Sequence, residues 1–262
     1  MSVLAKSGRL NLRNLLAMKG KERVAMLTAY DVMTAHCLDK AGVEILLVGD
    51  SLGNVVYGFD STLPVTLDMT LAHTGAVVRG SERAFVVADL PFLTYQTSLE
   101  AGIRNAGQCL AMAGAQGVKI EGASDYILEL VKRLVETGIP VMGHIGLTPQ
   151  SVHQMGGFYK HGKNAVSADR LRQEAKALAA HGCFAIVLEC VEESVAREIS
   201  ADIPCLTIGI GSGRVCDGEV LVVNDVLGYT LGKAPSFAEK FANLAEVVET
   251  AARKYVDGVK RS

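Results

Sequence analysis

The side chains best suited to acid–base work or cation binding sit where short apolar runs stop. Asp50 and Ser51 follow the run Ile45 to Val48, Asp89 stands in AFVVADL, and Lys119 and Glu121 lie in GVKIE. His144 ends IPVMGH and Glu189 closes FAIVLE, while Tyr30-Asp31 and Asn224-Asp225 end two further runs. Asp50, Asp89 and Glu121 offer hard oxygen donors. Brought together without a cation, three carboxylates repel one another and are costly to desolvate. A divalent cation resolves both problems, and an all-oxygen set with room for substrate favours Mg²⁺ over zinc. The alternative is that each acid caps the helix that follows it.

Lys119 and Glu121 are two residues apart in an extended run, so they share a face. A lysine there can neutralise a substrate carboxylate or an enolate oxygen, and a structural Lys–Glu pair is the alternative. Glu189 ends an apolar run, where a carboxyl can have a raised pKa suited to proton transfer. A helix cap or salt bridge is its other reading. His144 is a candidate donor to a substrate oxygen, or else a satisfied buried histidine.

The elements that must position these groups alternate along the chain. Strands are predicted at 23–29, 44–50, 84–90, 117–121, 139–144, 184–189, 203–210 and 219–225. They are apolar throughout, as parallel strands covered on both faces must be. Helices are predicted at 31–40, 67–79, 98–113, 123–137, 168–181, 191–201 and 236–258, with no clear helix after the seventh strand. This alternation predicts an α/β chain, a (β/α)₈ TIM barrel over residues 1–262 as a single domain, with a short N-terminal arm or helix at 1–22 covering the barrel bottom. The length suits such a barrel, and a doubly wound open sheet is the competing architecture. In a barrel the carboxyl ends of the strands surround one mouth, and the polar residues above would converge there.

A net charge of −2 without a basic or acidic tract argues against nucleic acid or an anionic membrane as partner. The N-terminal residues lack a signal-peptide pattern, and no stretch approaches the ~18 apolar residues of a membrane span. The expectation is a cytoplasmic protein. The six cysteines include no Cys-x-x-Cys, and buried reduced thiols are expected. GIGSG at 209–213 is expected to be a tight loop rather than a phosphate site. GGFYKHGK at 156–163 is a basic, aromatic loop, read as a lid, a contact for an anionic substrate tail, or plain surface.

Several long stretches resemble one family, the ketopantoate hydroxymethyltransferases. They include TAYD (28–31), VGDSLGNVVYG (48–58), STLPVTLDMTLAHTGAVVRG (61–80), ADLPF (88–92) and VKIEG (118–122). GHIGLTPQS (143–151), GGFYKHGK, LECV (188–191), TIGIGSG (207–213) and DGEVLVVNDVLG (217–228) extend the similarity. The resemblance implies a Mg²⁺-dependent barrel enzyme of pantothenate biosynthesis. It implies transfer of a one-carbon unit from 5,10-methylenetetrahydrofolate, a co-substrate, to 3-methyl-2-oxobutanoate, giving 2-dehydropantoate and tetrahydrofolate. It assigns the metal to Asp50, Asp89 and Glu121, substrate contacts to Asp50, Ser51, Asp89 and Lys119, and proton acceptance to Glu189. A cytoplasmic homo-oligomer, a decamer, is implied as well. The competing barrel group, the phosphoenolpyruvate mutase and isocitrate lyase enzymes, typically carries a KKCGH-like loop that this sequence lacks. Departures from the family pattern at Ala123, Glu192 and PSFAEKF (235–241) spare the proposed ligands, and the last bears only on the details of the C-terminal helix.

Overall fold

A computed structural model describes residues 8–157 and 159–261. The first seven residues of the expected arm and Phe158 of the 156–163 loop lie outside the described residues. The chain forms two compact units, Met1–Val220 and Leu221–Ser262.

The first elements are α1 (Leu12–Leu16), β1 (Val24–Thr28), α2 (Val32–Ala41), β2 (Ile45–Val48), α3 (Leu52–Val55) and α4 (Leu67–Gly80). Next come β3 (Phe85–Asp89), α5 (Leu99–Ala111), β4 (Gly117–Glu121), α6 (Asp125–Glu136) and β5 (Val141–Gly146). A 3₁₀ turn (Pro149–Ser151) leads into α7 (Val152–Met155), followed by α8 (Ala165–Ala180), β6 (Ala185–Glu189), α9 (Glu193–Asp202) and β7 (Leu206–Ile210). β8 (Gly218–Leu221), α10 (Val223–Leu227) and α11 (Leu244–Arg261) complete the chain. The eight strands close in sequence order into a barrel, and the seven pairings from β1–β2 to β7–β8 are parallel. The architecture is the TIM barrel that the alternation predicts, and among the described residues no helix lies between β7 and β8.

Strands that look uniformly apolar in sequence divide their side chains between two cores, because successive residues face opposite ways. Met26, Ile45, Leu47, Phe85, Val87, Met142, Val187, Leu206 and Ile208 form one buried cluster. Ala88, Val118, Ile120, Val141, Ile145, Ile186 and Leu188 belong to another, packed with helix residues such as Leu130, Leu134, Leu171 and Leu178. The first cluster is the barrel interior and the second lies between strands and helices. The buried Leu15 of α1 joins the interior cluster with Val24, Ile45, Phe85 and Phe184, all at strand beginnings. The described part of the arm therefore closes the bottom, as expected.

Helix starts follow local chemistry. Asp31, Thr66, Ser98, Ser124 and Asn164 each accept from a backbone N–H of the first turn of α2, α4, α5, α6 and α8. Two sequence readings need correction. Strand eight stops at Leu221, and Asn224-Asp225 lie inside α10 rather than at a strand end. The final helix begins at Leu244 rather than near 236. All six cysteines are unbridged, and Cys109, Cys183, Cys205 and Cys216 are buried, whereas Cys37 is exposed and Cys190 half-buried. Among the described residues no helix is long and apolar enough to cross a membrane.

Candidate active site

The inner faces of four neighbouring strands change character as they rise. β3 runs Phe85, Val87, Asp89, and β4 runs Gly117, Lys119, Glu121. β5 presents Met142 and then His144, and β6 presents Val187 and then Glu189. Apolar side chains fill the lower barrel, and the next position up on each strand is ionisable. Register sets the neighbours: Asp89 pairs with Lys119, and Glu121 with His144. Asp50 and Ser51 enter from the end of β2.

These groups are joined by short contacts. Lys119 Nζ donates to Asp89 Oδ2 at 2.6 Å, and the Asp50 backbone N–H donates to the same oxygen at 3.3 Å. His144 lies between two acids, with Nδ1 3.5 Å from Glu121 Oε1 and Nε2 3.2 Å from Glu189 Oε2. Neither contact is aligned as a hydrogen bond. The hydroxyls of Ser51 and Tyr30 are 2.8 Å apart. Asp50, Asp89, Lys119, Glu121 and His144 are all buried. Glu189 is the more open of the acids, with 16% of its side chain exposed.

Burial makes charge expensive here, and the cluster responds. Burial pushes the Asp89 carboxyl up to about 7; Lys119 opposes that rise, and Asp50 adds to it. Burial works against the Lys119 charge, but Asp89, Asp50 and Glu121 together hold its pKa above the ordinary range. Burial likewise raises Glu121, although His144 and Lys119 pull it down. Burial and Lys119 disfavour a charge on His144, yet Glu121 and Glu189 prevail and push it up to about 9. The carboxylates on its two sides thus favour the charged form of His144.

The capping alternative fails for these acids. Of the acids considered at strand ends, Asp31 alone caps a helix through its side chain, donated to by Met33 and Thr34. Helix α6 is capped by Ser124, and Ser51 at the start of α3 makes no side-chain cap. Lys119 pairs with Asp89 rather than with Glu121.

Each of the three acids proposed for metal has one oxygen engaged. Asp50 Oδ2 accepts from Gln150 Nε2 at 3.1 Å, and Glu121 Oε2 accepts from the Gln150 backbone N–H at 3.1 Å. Asp89 Oδ2 accepts from Lys119. The second oxygens of Asp89 and Glu121 are buried without a hydrogen-bond donor among the described residues. Buried lone pairs left this way are costly and fit a cation. Among the described residues no group of three or more His, Cys, Asp or Glu side chains is placed to hold a metal ion by itself. Mg²⁺ does not require one, since it keeps waters and substrate oxygens in its shell.

Gln150 and Tyr95 escape detection from sequence chemistry because neither titrates near neutrality. Gln150 lies in GHIGLTPQS, one of the stretches that carry the family resemblance, but nothing in that stretch marks the residue. The GIGSG loop is a tight turn, as expected: Ser212 Oγ donates to Leu188 O and accepts from the Val191 N–H. The described part of the 156–163 loop returns to the end of β6, where the His161 N–H donates to Cys190 O and Lys160 pairs with Glu192.

A model of the family described as ketopantoate hydroxymethyltransferase matches residues 9–262. The 3-methyl-2-oxobutanoate hydroxymethyltransferase of Syntrophus aciditrophicus (strain SB) is 51% identical over 261 residues, covering 99% of this chain and 96% of that protein. The like-named protein of Carboxydothermus hydrogenoformans is 54% identical over 239 residues, covering 91% of this chain and 86% of that one. Among solved structures, the phosphoenolpyruvate phosphomutase of Streptomyces platensis subsp. rosaceus superposes with a TM-score of 0.64 at 13% identity, over 96% of this chain and 88% of that one. At that identity the likeness is one of fold.

Proposed function

The chain belongs to the ketopantoate hydroxymethyltransferase family, and from that premise we propose that it transfers a one-carbon unit from 5,10-methylenetetrahydrofolate to 3-methyl-2-oxobutanoate. The products are 2-dehydropantoate and tetrahydrofolate, with one water consumed. The observation that carries the reading is the buried set Asp50, Asp89 and Glu121 against a single lysine, with carboxylate oxygens lacking donors. The hard oxygen donors suit Mg²⁺, and Asp50, Asp89 and Glu121 are the residues that would hold it, together with waters and substrate oxygens. When bound, Mg²⁺ supplies Lewis acidity to the carboxylate and keto oxygens of a 2-oxo acid.

The chain's own groups divide the remaining work. Ser51, whose hydroxyl is held by Tyr30, donates to the substrate carboxylate. Lys119 and the protonated His144 stabilise negative charge as it develops on the keto oxygen. Glu189, the most open of the site's acids, takes the proton from C3. As the electron pair left behind bonds to the folate methylene carbon, one C–N bond of that carbon breaks. Water then displaces the second nitrogen, leaving the hydroxymethyl group and tetrahydrofolate. Asp50 and Asp89 complete the substrate contacts. We assign the enzyme to the cytoplasm as a homo-oligomer, a decamer, acting on small molecules.

The test is product formation from the two substrates with Mg²⁺. 2-Dehydropantoate should appear, stop on addition of EDTA and return with excess Mg²⁺. Absence of product under metal-replete conditions overturns the assignment.

A further inference from the structure

Gln150, a neutral residue, contacts two of the three acids proposed for metal. Its side chain is buried, and Nε2 donates to Asp50 Oδ2 at 3.1 Å and to Leu90 O at 3.0 Å. Its Oε1 accepts from the Tyr95 hydroxyl at 2.9 Å and from Gln96 Nε2 at 3.3 Å. Its backbone N–H donates to Glu121 Oε2 at 3.1 Å. In sequence Gln150 is 100 residues from Asp50 and 29 from Glu121.

The direction of every bond in this chain is forced. The Glu121 backbone N–H can only donate, and it donates to the Tyr95 oxygen at 3.1 Å. The Tyr95 hydroxyl hydrogen is then left for Gln150 Oε1. That fixes the amide with its oxygen toward Tyr95 and its nitrogen toward Leu90 O and Asp50. Leu90 O can only accept, so it holds the amide the same way round. Both Nε2 hydrogens are thereby used, and one of them points at Asp50. Tyr95 is fully buried, its phenol pushed well above the ordinary range mainly by that burial, so it remains a hydroxyl donor.

We propose that Gln150 is a positioning residue, oriented by Tyr95, which holds one oxygen of Asp50 and one of Glu121 and so aims the opposite oxygens of both acids into the site. The inference rests on the reading of Asp50 and Glu121 as cation-binding acids. It explains why a neutral residue on a single 3₁₀ turn is buried at the end of the barrel. Second-layer groups that orient ligating carboxylates commonly change metal affinity by about 10- to 100-fold when removed.

Gln150→Met keeps the approximate volume and removes the amide, and Tyr95→Phe removes only the hydroxyl that orients it. Each variant is purified whole, its fold is checked by circular dichroism and melting in EDTA, and Mn²⁺ affinity is read by paramagnetic resonance or calorimetry. The expected result is Mn²⁺ binding about 10- to 100-fold weaker for Gln150→Met and a smaller loss for Tyr95→Phe. The double variant should be no worse than Gln150→Met alone, because both substitutions break one chain of bonds. KM for the 2-oxo acid at saturating metal should move less than the metal affinity. A folded Gln150→Met or Tyr95→Phe that binds Mn²⁺ within about twofold of wild type overturns the positioning role while leaving the reaction intact. Wild-type protein that neither binds Mn²⁺ nor forms product overturns the reaction, and this role with it. Should Gln150→Met fail to fold, Tyr95→Phe decides the outcome alone.

Discussion

At the scale of single residues, the site is organised around a shortage of positive charge. Lys119 pairs with Asp89 and feels the charge of Asp50 and Glu121 as well, and Glu121 and Glu189 favour the protonated form of His144. This division gives Glu189 a distinct task. It is the acid that reaches solvent most, and it lies beside a donor rather than in the crowd around Asp89. Replacing Glu189 by Gln should slow exchange of the C3 proton of 3-methyl-2-oxobutanoate in deuterated buffer by roughly 10²–10⁴-fold, in the range typical for loss of a general base. Proton NMR of the substrate follows that rate without folate. Exchange at the wild-type rate removes Glu189 from the base role. The charged members of the site were legible because an ionisable residue closing an apolar run is conspicuous. Gln150 was not, since an amide on a short turn has no periodicity or charge to mark it.

At the scale of elements, two devices tie the ring of helices and strands together at the end opposite the site. Asp39, on the last turn of α2, accepts from the backbone N–H groups of Glu82, Arg83 and Ala84, where α4 passes into β3. Burial works against its charge, but these donors outweigh burial and hold its carboxyl below the ordinary value. An acid with a depressed folded-state pKa stabilises the fold above its unfolded pKa, near 3.9, and loses that contribution as pH falls through the folded value. Asp39→Asn should therefore cost about 1–3 kcal/mol at neutral pH and flatten the acid side of a stability-against-pH curve taken by urea unfolding. The second device is α1, whose Leu15 is fully buried among the first residues of the strands. Leu15→Ala should lower stability by about 2–5 kcal/mol, read from the same unfolding curves, while leaving metal affinity near wild type. Element identities were readable from pattern because burial on both faces leaves continuous apolar runs. Ends were less so. LVVND continues the apolar run of strand eight, and over so few residues strand and helix look alike until the α10 backbone hydrogen bonds are seen.

At the scale of the whole molecule, the closed barrel follows from its alternating strands and helices, whereas assembly does not follow from any core pattern. The segment α11 shows why. It is a long amphipathic helix that carries Val247, Tyr255 and Val259. Helical spacing places these three, with Val248, on one broad face, while Glu249, Arg253, Asp257 and Arg261 lie in ion pairs elsewhere on the helix. Under the proposed homo-oligomer, a second copy of the chain covers that apolar stripe. Changing Val247 and Tyr255 together to Asp places two charges in that stripe without touching any residue of the proposed site. Sedimentation equilibrium should show the wild-type chain as an assembly and the double variant shifted to smaller species. Circular dichroism of the variant should remain that of a folded barrel. A double variant with the wild-type mass would show that α11 is not part of the subunit interface.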